Sequence, residues 1–346
     1  MSKRNFTIDD VAEAAGVARV TVSRVLNNEQ NVRPETREKV RRAVEALGYS
    51  VNPQARALAS GMGRQIMLVH AHSPELEPNS YYHAGLELGA LRACSSLGFD
   101  LVTRAVDPNA ANRLQLLSAL LERERPAGLI LSPPLSDDIE LIEAAQATGV
   151  KIAAVSAGEA ARAVVSAVGI DERAGGYAIG EHLASLGHRR VGFIKGPADH
   201  RAATLRYDGF LEALSHSGID REPWTATGDF TFKSGVEAAD KLLVDRASVT
   251  ALACANDDMA AGAMLALHRA GLDIPRAISV TGFDDTPMSQ VVWPPLTTIR
   301  QPIKDFTERA VALLVENGSN GVHFEALPHA LVVRESTAAP AQQWLA

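Results

Sequence analysis

Nine short apolar runs, most of them separated by helical patterns, constrain the fold of residues 64–346 more than any other feature of the chain. The runs are 66–71, 99–104, 127–132, 152–156, 164–170, 190–196, 251–256, 278–283 and 330–336. Helical spacing fills 83–97, 111–123, 137–147, 172–186, 204–217, 233–245 and 257–270 between them. Strand–helix–strand alternation predicts parallel sheets covered by helices on both faces. Nine such strands predict an α/β body of two doubly wound subdomains. Ligands of such sheets bind outside the carboxyl ends of the strands, which here means the cleft between the subdomains. The polar groups placed just after strands are His72, Ser73, the Tyr81-Tyr82-His83 loop, Ser156, Asp171, Asn256-Asp257 and Asp284-Asp285.

At 346 residues the chain is long enough for two or three domains. Its formal charge of −7 is unevenly spread. Residues 1–63 hold ten Lys/Arg against seven Asp/Glu, a net +3; the remainder holds 24 against 34, a net −10. A basic head precedes an acidic body, and only the head suits an approach to phosphates. Cys94 and Cys254 lie far apart in no metal or redox spacing and read as two buried thiols in a reducing compartment. Lys3 and Arg4 are followed by no apolar signal core, and no apolar run is long enough to span a membrane. The cytoplasm is the expected compartment.

The head, residues 1–50, reads as three helices. Thr7 can cap the first, with Asp10 three residues on; Ile8, Val11, Ala12 and Ala15 then share one face. Gly16 breaks the run and allows a tight turn. A second helix begins near Ala18, with Val22, Val25 and Leu26 facing inward and Arg19, Val20, Ser23 and Arg24 outward. Pro34 opens a third helix, Val40, Val44 and Leu47 form its buried stripe, and Gly48 stops it. This is a helix-turn-helix unit whose second helix suits the major groove. Residues 51–63, "VNPQARALASGMG", read as a linker with one or two turns of marginal helix.

"FTIDDVAEAAGVARVTVSRVLN" with "VRPETREKVRRAVEALGYSVNPQARALASG" resembles the head of the lactose-repressor (LacI/GalR) family of bacterial transcription regulators. The likeness continues through "HLASLGHRRVGFIKG", "RYDGF", "CANDDMAAGAM", "PRAISVTGFDD" and "PPLTTIRQP". It implies a three-helix helix-turn-helix head plus hinge helix, then two subdomains of the periplasmic-binding-protein type that bind effector and dimerise over residues 64–346. Arg19, Val20 and Arg24 would read base edges: an arginine bidentate to guanine, Val20 against a thymine methyl. Thr21 and Ser23 would contact phosphates, and Thr7 and Asn31 complete the expected DNA-contacting set of the head. Ala18 stands where the family usually has Ser, so a hydroxyl contact to the backbone would be missing there. In the hinge, Leu58 would be a minor-groove wedge, with Asn52, Ala55, Arg56 and Ala59 around it.

For the effector site the resemblance implies Arg206 as a planar clamp, Asp284 as acceptor of two hydroxyls, Asn256 as donor and acceptor, and Phe230 as a stacking ring. Ser73, Tyr82 and His83 complete the set. The residues alone also allow Asp284 as a helix cap, Asn256 as a turn residue at a helix start, Arg206 paired with Asp208 or Glu212 on the surface, and Phe230 as plain core. These groups suit a mono- or oligosaccharide, though one Arg leaves a phosphorylated sugar or a nucleobase open.

No phosphate loop and no nucleophile elbow occurs; "GMGRQI" at 61–66 lacks a third glycine and precedes its strand. His182 and His188, six apart, do not suit a helical metal pair. No catalytic role, cofactor or metal is expected, which sets aside a glycosidase or sugar kinase; a transport-type binding protein would need an export signal. The expectation is a homodimeric repressor of carbohydrate-utilisation genes on a palindromic double-stranded operator, released by a sugar, with no membrane contact. The tail after Ser336 lacks leucine heptads for a tetramer-forming coil.

Overall fold

The computed structural model describes residues 7–26, 32–47, 64–72, 80–244, 249–316 and 321–341. It divides into a head ending at Arg64 and a body beginning at Gln65. Asn31, Ser73 and the residues expected in the hinge, Asn52, Ala55, Arg56, Leu58 and Ala59, lie outside the described residues.

The head holds α1 (Ile8–Ala15), α2 (Arg19–Leu26) and α3 (Pro34–Leu47). Thr7 and Asp10 make a full capping box: the Asp10 amide donates to Thr7 Oγ1 at 3.3 Å, and the Thr7 amide donates to Asp10 Oδ2 at 2.6 Å. Gly16 closes α1 with φ 63°, a left-handed conformation that costs glycine little. The core is Val11, Ala12, Val22, Val25, Val40 and Ala43, with Val44 and Leu47 only partly buried beside it. Ala43, rather than Val44, thus takes the inner position next to Val40.

The body runs β1 (Gln65–Ala71), α4 (Ser80–Leu97), β2 (Asp100–Val106), α5 (Arg113–Glu124), β3 (Gly128–Leu131), α6 (Ile139–Ala147), β4 (Ile152–Val155), α7 (Glu159–Arg162) and β5 (Ser166–Gly169). It continues through α8 (Glu172–Ser185), β6 (Val191–Lys195), α9 (Arg201–His216), β7 (Trp224–Thr227), α10 (Phe232–Val244), β8 (Ala251–Cys254), α11 (Asp257–Arg269) and β9 (Ser279–Thr281). It ends with α12 (Met288–Val291), β10 (Thr298–Arg300), α13 (Ile303–Val315), β11 (Phe324–Ala326) and β12 (Ala330–Val332).

Two parallel sheets result, ordered β11-β5-β4-β3-β1-β2 and β7-β6-β8-β9. The chain passes between them after β5, after β10 and after β11, because α13 packs on β3, β4 and β5 while β12 pairs with β10. The first subdomain buries Met67, Val69, Leu129, Leu131 and Ile142. The second buries Phe193, Phe210, Leu252, Met259 and Val280.

The structure corrects the strand assignment in two ways. The 330–336 run joins neither parallel sheet; its first residues form an antiparallel ribbon with β10. Strands β7, β10 and β11 and helix α13 escape the apolar-run reading. The three strands have only three or four residues each, and β7 and β11 lie at sheet edges, β7 with alternating exposure. Gly176 and Gly209 let α8 and α9 touch backbone to backbone: a methyl on Gly176 would collide with the Arg206 carbonyl, and one on Gly209 with that of Arg173. That contact positions Arg206 below. No helix among the described residues is long and apolar enough to cross a membrane.

Candidate functional site

Two surfaces concentrate chemistry. On the head, α2 buries Val22 and Val25 and turns Arg19, Val20 and Arg24 outward. Val20 is 56% exposed, a large apolar side chain held in water by no packing need. Arg19 meets Asp9 at 3.5 Å across an exposed gap, a pairing too weak to hold it away from a stronger anion. Thr21 and Ser23 are half-buried on the same short helix. Thr7 is engaged in its cap.

In the body, a cavity of about 320 Å³ is lined from the carboxyl ends of both sheets. His72, Asn109, Pro133 and Ser156 follow β1 to β4; His200, Phe230, Asn256 and Asp284 follow β6 to β9. Tyr82 and His83 enter from α4 and Arg206 from α9. Six of the seven expected effector residues therefore meet in one cavity; the seventh, Ser73, is not described.

Arg206 is the electrostatic centre. Its Nε donates to Glu172 Oε2 at 2.8 Å, its Nη1 donates to the Ala255 carbonyl at 2.8 Å, and Asp284 Oδ1 lies 3.5 Å from Nη1. The guanidinium also lies 3.9 Å over the Phe283 ring. The surface pairing with Asp208 and Glu212 belongs instead to Arg173. Asp284 caps no helix; it accepts from Gln301 Nε2 at 2.5 Å. Burial is the main cause that lifts its pKa to about 7, with Arg206 and Gln301 pulling the other way.

Asn256 fits the turn reading. Its Oδ1 accepts from the Met259 amide at 3.0 Å and caps α11, while its Nδ2 donates to the Phe230 carbonyl at 3.0 Å. One donor hydrogen and one acceptor lone pair remain for a ligand. Phe230 is partly buried, edge-on to His200 with ring centroids 4.7 Å apart, and has φ 70°. Ser156 and Asp284 share this unusual backbone, with φ 49° and 117°. Three strained non-glycine residues around one cavity are the pattern of a site whose geometry overrides local preference. Burial raises the Tyr82 phenol above its ordinary pKa and lowers His83 to about 4 and His200 to about 3, so both imidazoles are neutral at pH 7.

Of the other polar groups after strands, Asp171 is exposed and caps α8 through the Ala174 amide, and Tyr81 is 39% exposed. Asp257 is buried beneath the site, accepting from the Thr286 amide at 2.7 Å and Thr298 at 2.6 Å. Asp285 is held by Arg300 and Arg334. His182 bonds Thr337, and His188 bonds Thr250 and the Ala338 carbonyl, so both tie down the C-terminal segment. Glu172, Gln301, Asp199, His200 and Asp229 are site residues absent from the sequence reading. His200 and Asp199 follow a correctly expected strand, and the same rule applied after β6 finds them. Asp229 follows β7, which has no apolar run to announce it.

The model of bacterial regulatory proteins of the lacI family matches residues 7–52, and that of the periplasmic binding protein-like domain matches residues 181–337. The HTH-type transcriptional regulator CelR of Thermobifida fusca is 34% identical over 318 residues, covering 91% of this chain and 92% of its own. A solved complex of the transcriptional regulator CelR with cellobiose superposes with a TM-score of 0.71 at 31% identity, covering 96% of this chain and 99% of the other. The lac repressor dimer bound to operator and an anti-inducer gives 0.73 at 31% identity, covering 97% and 100%. Fold and site together define a DNA-binding regulator with a ligand-binding body. The chain belongs to the LacI family of bacterial transcription regulators.

Proposed function

We propose that this regulator represses carbohydrate-utilisation genes and leaves its operator when a small sugar binds the body cleft. The carrying observation is the cavity: Arg206, Asp284 and Asn256 offer a clamp, an acceptor and a mixed donor–acceptor beside the Phe230 and Tyr82 rings. Polar groups that take hydroxyls, set against aromatic and proline walls, suit the two kinds of surface a sugar presents. The similar regulator solved as a complex with cellobiose supports a sugar as the ligand.

Two heads, paired by the two-fold axis of a homodimer, would read the half-sites of a palindromic operator through Arg19, Val20 and Arg24. The similar lac repressor dimer on its operator supports that arrangement. Residues 51–63 would form the hinge, with Leu58 as the wedge. Sugar binding acts only as far as it favours one arrangement of the body over another. The protein has no catalytic step in this reading and works in the cytoplasm, where its DNA is.

The test couples two measurements. A panel of sugars is screened by thermal shift, since a ligand of the folded state raises its melting temperature. A gel shift with the gene's own upstream DNA then follows each hit. The reading expects one sugar class both to stabilise the protein and to release the DNA. A sequence-specific shift that no stabilising sugar alters would overturn the effector assignment, and the absence of any specific shift would overturn the operator role.

A further inference from the structure

We propose that Glu172, buried behind Arg206 and outside the cavity wall, restricts this site to ligands without negative charge. The inference rests on the sugar reading above and settles a point the sequence leaves open, since a lone Arg suits a phosphorylated sugar as well as a neutral one.

Arg206 is the sole Arg or Lys among the described residues that line the cavity. Its guanidinium is already committed: Glu172 holds Nε, and Asp284 lies beside Nη1. Glu172 is 1% exposed, is not among the lining residues, and touches the cavity wall through its bond to Arg206. With Asp284 ionised the three groups sum to −1; with Asp284 protonated they sum to zero. Neither state presents a net positive charge.

The remaining wall adds no Lys or Arg, and of its three imidazoles His72 is exposed to water. The imidazoles of His83 and His200 are kept neutral by burial. Asp199 and Asp229 bring further carboxyls. Burial works against the charge on Asp229, but hydrogen bonds from Ser234 and Thr231 outweigh it and leave its pKa below the ordinary carboxylate value. A phosphate or carboxylate in the cavity would lose water and gain no uncommitted Arg or Lys, while a hydroxyl can still use the Nη2 hydrogens of Arg206 and the oxygens of Asp284. Glu172 is thus a specificity-determining residue that acts by occupying the arginine.

The test measures binding by calorimetry to the full chain. The probes are glucose, galactose and cellobiose; glucuronate, galacturonate and glucose monophosphate; and the neutral amide glucuronamide. Wild type is expected to bind at least one neutral sugar and to bind its acidic counterpart about 100-fold more weakly or worse. Glucuronamide, the neutral and nearly isosteric amide of glucuronate, controls for bulk, because a steric filter rejects it with the acids and a charge filter does not. Glu172→Gln, close to isosteric, should narrow the neutral-to-acidic ratio about tenfold or more, and Glu172→Asp should restore part of it.

Wild type binding an acidic sugar as tightly as its neutral counterpart overturns the charge filter and leaves the sugar reading standing. An unchanged ratio in folded Glu172→Gln overturns the role of Glu172. Equal rejection of glucuronamide and the acids assigns selectivity to size and overturns the proposal. Binding of none of these sugars counts against the sugar reading itself, and the inference falls with it. If Glu172→Gln fails to fold, the wild-type comparison still decides whether the site filters charge.

Discussion

On the head, Arg19 and Arg24 stand on an exposed helix face over a core of six small and medium apolar residues. In the cleft, Arg206 is buried between Glu172 and Asp284, with Phe283 beneath it. In the proposed function the same side chain serves two ends. An arginine that must exchange water for a phosphate or a base edge gains from a solvated, loosely paired resting state. An arginine that must orient hydroxyls in a dry cavity needs fixed carboxylates, because an unpaired charge there is costly. The residues proposed to read DNA are therefore nearly independent of the head's stability, whereas those proposed to bind the effector are part of what holds the body together.

The largest break of this contrast is Arg206→Ala. It strands two buried carboxyls and should cost the body about 3–5 kcal/mol, read as a lowered melting transition along with loss of effector response. Arg206→Met, which keeps volume, should cost a similar amount if charge rather than packing is responsible. On the head, Arg24→Ala should leave the melting temperature unchanged within error and remove about 1–3 kcal/mol of operator discrimination. Competition gel shifts against non-specific DNA measure that loss, and unchanged specificity would remove Arg24 from base readout.

Asp284 adds a pH dependence. Its pKa is about 7 when folded, against about 3.9 for a free aspartate. The folded state therefore binds the extra proton between those values, and this group's contribution to stability falls as pH rises from about 4 to about 7. Asp284→Asn should flatten that part of the melting-temperature profile; an unaltered slope would mean that the carboxyl ionises normally.

Two smaller effects sharpen the comparison. Thr7→Ala removes the capping box of α1 and should destabilise the head by about 1 kcal/mol, seen as faster amide exchange in α1 with the body unaffected. Phe230→Gly relaxes a residue at φ 70° while removing a ring that faces the cavity. Its net stability change should stay within about 1 kcal/mol, yet the sugar found in the thermal-shift screen should bind at least tenfold more weakly. A large destabilisation instead would make Phe230 a core residue.

The contrast also explains what could be read from the sequence. The head was legible almost residue by residue, because local signals specify it: Thr7 and Asp10 cap, Gly16 turns, and the apolar spacing of α2 leaves Arg19, Val20 and Arg24 outside. The parallel sheets were legible where strands are buried on both faces, as in β3 with all four residues buried. They were not legible at the edge strand β7, whose side chains alternate with solvent, nor in the crossovers that send α13 back to the first sheet. In the cleft, residues after recognised strands came into view, but Glu172 did not. It lies one position beyond Asp171, and only the close contact of α8 and α9 at Gly176 and Gly209 brings it against Arg206. Partnerships of that kind depend on tertiary packing and leave no periodic trace.

The central claim is that a ligand in the body cleft governs what the head does to DNA. Fluorescence anisotropy of the full chain on its own upstream DNA, with and without the stabilising sugar, tests it directly in wild type and in Asp284→Asn. The account predicts equal operator affinity for both proteins without sugar, a sugar-dependent loss of affinity in wild type, and little or none in Asp284→Asn. An equal loss in both would place the effector outside this cleft and contradict the account.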